Sequence, residues 1–158
     1  MADSTTWLTP AAFDKLTAEL DDLKTNGRRQ MEMRLAEARA HGDLRENGDY
    51  DAAKNDQGMM EARIRQVEAI LAHAQVKEAS DDGTVQIGSV VKVVDADGDE
   101  AEYFVATPEN KEPGFLLASP AGPLGHALIG ARAGETVSYK APGGTFSLTI
   151  KSVRAFRS

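Results

Sequence analysis

The apolar positions of the chain fall into two regimes with different periods. Leu8-Thr9-Pro10 announces a helix: Thr9 can cap exposed backbone N–H groups, Pro10 suits the first helical position, and Leu8 can staple onto Phe13. Phe13, Leu16, Leu20 and Leu23 then recur at gaps of three and four, and Met31, Leu35 and Ala38 resume the stripe after a softer stretch at Asn26-Gly27. Gly27 is expected to weaken this helix without ending it, since glycine costs only about 1 kcal/mol relative to alanine. A second stripe, Ala53, Gln57, Met60, Ile64, Val67, Leu71 and Ala74, alternates gaps of four and three, the seam of a coiled coil. Two narrow-seamed helices joined by one short turn must pair antiparallel. The stretch from His41 to Tyr50 holds that turn, with Gly42 ending the first helix and Asn47-Gly48 supplying a reversal. At 1.5 Å per residue the arm from Ala53 to Ala74 spans roughly 30 Å and the first arm about 45 Å.

After Val76 the period changes. Ser80-Asp81-Asp82-Gly83 reads as a linker, and the segments beyond it are short, rich in valine and aromatic residues, and broken by glycine and proline. The predicted strands are Val85 to Val94, Ala101 to Ala106, Phe115 to Ser119, Thr136 to Lys140 and Thr145 to Val153. Asp95 to Asp99 and Ala141 to Gly144 are hairpin turns between them, and Leu124 to Gly130 is a short helix crossing the sheet. The fold class is therefore α+β: an antiparallel helical hairpin over residues 1–79, followed by a small, mostly antiparallel β domain with a short helix over residues 80–158.

Composition narrows the function. Aromatics at 6% and charged residues at 27% suit a thinly packed, solvated helix pair. A net charge of -7 argues against holding duplex nucleic acid by phosphate neutralisation, so any nucleic-acid contact is local or mediated by a protein partner. The absence of cysteine excludes disulfides and thiolate metal sites and suits a reducing cytosol. No run approaches the roughly 20 apolar residues of a membrane span, and the expected location is cytoplasmic.

The charge at the hairpin tip is the candidate chemistry. Asp43, Glu46, Asp49 and Asp51 surround Arg45. Asp43 and Glu46, three apart, project to one side in a helical or turn conformation. Two such oxygen ligands are a minimal handle for Mg²⁺, weak alone and useful where another protein already holds a metal and a phosphodiester. Spacing leaves the ordinary alternative open, because exposed charge clusters are usually solvated surface.

The run from Gly42 to Lys54, with Gln57-Gly58 and Glu61-Ala62-Arg63-Ile64, resembles the signature of Gre transcript cleavage factors, closest to the GreA type. Leu8-Thr9-Pro10, Ile87-Gly88-Ser89-Val90-Val91, Pro123-Leu124-Gly125 and Ala127-Leu128-Ile129-Gly130 extend the resemblance over nearly the whole chain. The resemblance implies a coiled-coil N-terminal domain and an FKBP-like C-terminal domain that docks at the rim of the bacterial RNA polymerase secondary channel. It implies that the hairpin passes down that channel to the nascent RNA 3′ end of backtracked complexes. There Asp43 and Glu46 would help hold the second Mg²⁺ of the polymerase active site and orient the attacking water. Arg45, Asn47, Tyr50 and Lys54 would contact RNA or polymerase, Tyr50 also buttressing the tip, while Pro123, Leu124 and Gly125 would serve docking. The hydrolysis would belong to the polymerase, so the chain itself is not expected to be an enzyme or to bind Mg²⁺ tightly when free. A monomer fits that use. Gly48 stands where the family commonly has alanine, Asp51 where it has histidine, and Ser119 to Pro123 lacks the serine that usually precedes the second proline.

Two rivals stand beside this expectation: a Gre-like inhibitor that enters the channel without stimulating cleavage, and a coiled-coil adapter with no role at the polymerase. Elsewhere the bland assignments are preferred. Trp7 packs against an adjoining domain, Met31, Met33, Met59 and Met60 fill the seam, and Phe146, Leu148 and Ile150 are core. The acidic run Asp95, Asp97, Asp99, Glu100 and Glu102 is a solvated hairpin edge, and His41, His73 and His126 lack metal-ligand spacing.

Overall fold

A computed structural model describes residues 5–40 and 48–157. Its elements run β1 (Thr6–Leu8), α1 (Pro10–Asp22), a π-helical turn (Leu23–Gly27), α2 (Arg28–Ala40), α3 (Gly48–Ala72), β2 (Ala74–Val76), β3 (Ser89–Asp95), β4 (Glu100–Val105), β5 (Leu116–Ala118), α4 (Pro123–Leu128), β6 (Thr136–Ala141) and β7 (Gly144–Ala155). Strands β1 and β2 pair as a two-stranded ribbon, and the rest form one five-stranded sheet in the order β5-β4-β3-β7-β6. Contacts divide the chain into two compact units. One contains residues 13–74, and the other contains residues 75–158 together with Trp7–Ala12.

The first unit is a helical hairpin, α2 packing on α3. Leu35, Ala38, Ala53, Ile64 and Val67 are buried along its seam, with Met31, Gln57, Met60 and Leu71 half-buried, so the narrow stripe is the buried face. Gly27 does not end the first arm. The chain there widens into a π turn in which the Arg28 amide reaches the Leu23 carbonyl, and Thr25 Oγ1 bonds back to the Asp21 carbonyl at 2.8 Å. From Leu23 to Met31 is eight residues, one more than a seven-residue repeat allows, and the wider turn takes up the extra residue so that both stretches of the stripe stay in phase. Three seam assignments need correction. Met33 and Met59 are 66% and 67% exposed, because each lies off the stripe; Ala74 belongs to β2, not to α3.

In the second unit, β3 pairs antiparallel with β4 and with β7, and β7 with β6, while the short β5 runs parallel to β4. Alternation along the strands creates two apolar faces. On one, Val91, Val93, Val105, Leu148 and Ile150 are buried with Leu128 of α4. On the other, Val90, Phe104 and Ala106 carry Trp7, Phe115, Leu117 and Phe156, with the Phe104 and Phe156 rings 4.9 Å apart. The expected packing role of Trp7 is met here. The expectation for Phe146 is corrected: its side chain is 43% exposed. The β3–β7 register ends at Asp95 and Leu148, so no third strand underlies Phe146, which rests beside Tyr139 of β6 with ring centroids 5.8 Å apart. The acidic run is the expected solvated hairpin edge: β5 pairs only with Tyr103–Val105 of β4, so among the described residues no strand covers the outer side of Glu100–Glu102. Asp95 organises the turn, its Oδ1 accepting from the amides of Asp97 at 2.8 Å and Asp99 at 2.9 Å.

Asn110 fastens Trp7–Ala12 within this unit. It is fully buried: Oδ1 accepts from the Thr9 amide at 2.8 Å, and Nδ2 donates to the Trp7 carbonyl at 2.9 Å and to Thr107 Oγ1 at 3.0 Å. Thr9 in turn caps the first helix, its Oγ1 accepting from the Ala12 amide at 3.0 Å.

Candidate functional site

Asp43, Arg45, Glu46 and Asn47 lie outside the described residues, as do His41, Gly42 and Leu44. The helix ends on either side are defined. Ala40 closes α2, and α3 opens at Gly48. The expected turn is shorter than His41 to Tyr50: Gly48, Asp49 and Tyr50 form the start of α3, so Gly48 belongs to the helix and not to the reversal. Asp49 and Asp51 stand in its first turn, where negative charge meets the unpaired amides and the positive end of the helix dipole. That accounts for half of the acidic cluster by ordinary helix chemistry.

Charged pairs step across the hairpin toward this end in antiparallel register. Arg28 makes a two-pronged contact with Glu61 at 3.0 and 2.8 Å, Arg34 meets Asp56 at 2.7 Å, and Arg39 reaches the Tyr50 hydroxyl at 3.3 Å. Nearer the open end Lys24 pairs with Glu68 at 3.3 Å, and Arg63 reaches Glu19 on a diagonal at 2.6 and 2.7 Å. The Arg28 hydrogen bonds hold the Glu61 carboxyl below its ordinary value, and those from Arg63 do the same for Glu19 against an opposing push from partial burial. All these pairs are substantially solvated, so each fixes register more than it adds stability.

Tyr50 does not stand alone at the hairpin surface. The Arg39 guanidinium lies 5.5 Å from its ring centroid, and the hydrogen bond from Arg39 is the main cause that lowers the phenol's pKa. Lys54, one turn further on, donates to Gln57 at 3.1 Å. Among the described residues no three His, Asp or Glu side chains converge as a metal site.

The candidate docking residues come together on α4. Pro123 occupies its first turn and is exposed, Leu124 packs against the core, and Gly125 is buried. A Cβ on Gly125 would overlap the Ser119 carbonyl, so glycine there permits the close pass of the Ser119–Pro120 backbone. Gly88 has a matching reason. Its φ is +99°, and a Cβ would come within 2.8 Å of the Trp7 ring. Of the trio, only Pro123 presents its side chain freely to a partner.

The two units correspond to two family matches. Residues 6–76 match the family described as transcription elongation factor, N-terminal, and residues 80–155 match transcription elongation factor GreA/GreB, C-terminal. The chain belongs to the GreA/GreB transcription elongation factor family. The transcription elongation factor GreA of Saccharopolyspora erythraea is 44% identical over 155 residues, covering 96% of this chain and 95% of that protein. Those of Mycobacteroides abscessus and Mycobacterium tuberculosis are 48% and 46% identical, covering 89% and 97% of this chain and 88% and 96% of theirs. A solved structure, GreA factor homolog 1 of Thermus thermophilus, is 27% identical, spans 95% of this chain and 99% of its own, and superposes with a TM-score of 0.44.

Within this Gre-family chain two residues escaped the sequence reading. Arg39 could have been found by reflecting the hairpin about its turn, since Arg28 with Glu61 and Arg34 with Asp56 already set the register that brings Arg39 to Tyr50. Asn110 carried no signal at all: an asparagine after Pro108-Glu109 looks like any loop residue until the segment it grips is seen.

Proposed function

We propose that this chain enters the secondary channel of bacterial RNA polymerase with its hairpin and stimulates the polymerase's own endonucleolytic cleavage of backtracked RNA, rescuing arrested complexes. Membership of the GreA/GreB family across both units is the observation that carries this reading. The hairpin adds to it, because α2 and α3 end on either side of the short segment that contains Asp43 and Glu46. Those two carboxylates are hard oxygen donors of the kind Mg²⁺ prefers, and they would share the ion held in the polymerase active site, where the metal would polarise phosphate and acidify water. Arg45, Asn47 and Lys54 would face the RNA 3′ end or nearby polymerase groups. Docking at the channel rim falls to the second unit, with Pro123 its accessible candidate. Hydrolysis remains the polymerase's, so the chain acts as a stimulating factor in the cytoplasm rather than as an enzyme. No described helix is long and apolar enough to cross a membrane.

The test is transcript shortening in stalled, backtracked complexes. Wild-type protein is expected to release short 3′ RNA fragments, and Asp43→Ala or Glu46→Ala to abolish release while polymerase binding persists. Binding with slowed nucleotide addition and no fragment would favour the inhibitor; failure to retrieve polymerase would favour the adapter.

A further inference from the structure

The seam of the hairpin thins toward the tip. Midway along it Ile64 and Val67 are buried, Leu35 is buried one turn before Ala38 on α2, and the outermost buried residues among those described are Ala38 and Ala53. Apolar stabilisation scales with the area removed from water, so the two buried alanines contribute less than the leucine, isoleucine and valine further along the seam. Beyond that layer Arg39 and Tyr50 span the gap, with guanidinium to hydroxyl at 3.3 Å and guanidinium to ring centroid at 5.5 Å. Arg39 immediately precedes Ala40, the end of α2, and Tyr50 lies in the first turn of α3. A cation in the last turn of α2 also complements the helix dipole, which favours Arg39 staying at that end.

We propose that Arg39 is a positioning residue for transcript cleavage: by bonding to and stacking on Tyr50 it fixes the separation of the two helix ends from which the segment carrying Asp43 and Glu46 departs. This inference rests on the cleavage reading above. It differs from a direct role for Arg39 on RNA phosphate, because its guanidinium is engaged by Tyr50 through both hydroxyl and ring. Catalytic groups misplaced by about 1 Å can lose on the order of a hundredfold in rate, so loosening the clamp is expected to act on turnover rather than on binding.

The experiment uses the full-length chain on backtracked complexes, comparing wild type with Arg39→Met, Tyr50→Leu, the double variant and Arg39→Lys. The expected result is a fall of roughly tenfold to a hundredfold in the maximal cleavage rate for each of Arg39→Met and Tyr50→Leu, with the half-saturating concentration little changed. The double variant is expected to be no slower than the worse single, as for residues that act as one unit, and Arg39→Lys to recover part of the rate. Multiplying effects in the double variant, or a raised half-saturating concentration at unchanged maximal rate, would mean an independent contact and overturn the proposal. Ultraviolet titration of the phenols, with Tyr50→Phe isolating Tyr50, gives a second readout on the free protein. Arg39→Met should move the Tyr50 ionisation to higher pH despite the remaining influence of Lys54 and Asp51, and an unmoved titration overturns the clamp. A wild type that releases no fragment sinks the cleavage reading and this inference together; an active wild type with a fully active Arg39→Met sinks only the inference.

Discussion

Replacing Asn110 by alanine removes three hydrogen bonds from the interior of the β unit and leaves the groups they served without partners. Thr9 is itself buried, so its amide loses the Oδ1 acceptor where water has poor access, and the Trp7 carbonyl loses the Nδ2 donor. An orphaned buried backbone group costs about 1–3 kcal/mol. Two of them, with some rescue by entering water, place the loss at about 3 kcal/mol. With a urea slope of about 1.5 kcal/mol per molar for a unit of this size, the midpoint should fall by about 2 M. Trp7 is the chain's one tryptophan, and it packs on the aromatic face of this unit, so its fluorescence reports directly on the affected region. Asn110→Asp keeps the acceptor for Thr9 but sets a second carboxylate oxygen against the Trp7 carbonyl in the same fully buried site, so at neutral pH it should be at least as destabilising as Asn110→Ala. A midpoint for Asn110→Ala within about 0.3 M of wild type, equivalent to about 0.5 kcal/mol, would refute the assignment of a fastening role.

Further outcomes follow from other contacts. Gly88→Ala combines a left-handed backbone conformation with a Cβ 2.8 Å from the Trp7 ring, and should cost about 2–3 kcal/mol by the same fluorescence measurement. Leu148→Ala should cost about 2–5 kcal/mol, whereas Phe146→Ser, beyond the end of β3, should stay within about 1 kcal/mol of wild type in denaturant titrations. Glu19 and Glu61 ionise more readily in the folded hairpin than in the unfolded chain, so their contribution is present above the ordinary carboxyl value of 4.5 and is lost as pH falls through their lowered folded values. Helical circular dichroism melts at pH 7 and pH 3 should therefore show a drop in midpoint, smaller in Arg28→Ala, and smaller in both proteins when salt screens the pairs.

The legible parts of this molecule were those encoded locally. Gaps of three and four marked both helical arms, alternating valines and aromatics marked the sheet, and Asp95 to Asp99 and Ala141 to Gly144 marked its hairpins. Pairing between distant segments was not legible. Nothing in Leu116–Ala118 says that it runs parallel to β4, and nothing in the alternation through Phe146 says that β3 stops short of it. Strand period names a face but not what covers it. The candidate site divided in the same way. Its motif was recognisable as an ordered set of residues, and two of its acids, Asp49 and Asp51, needed only the helix start to explain them. The Arg39–Tyr50 clamp required the hairpin register, which no short window contains.

The widened turn at Leu23–Gly27 makes the first arm unequal in its tolerance of length changes. Removing one residue there, Thr25 for example, would leave seven positions between Leu23 and Met31, and an unbroken coiled-coil repeat would thread the whole arm. A deletion between Arg28 and Ala40 has no such slack and would swing the outer half of the arm by about 100° relative to its partner. One spare residue thus lets the inner arm change size while the end nearest the candidate site keeps its bearing.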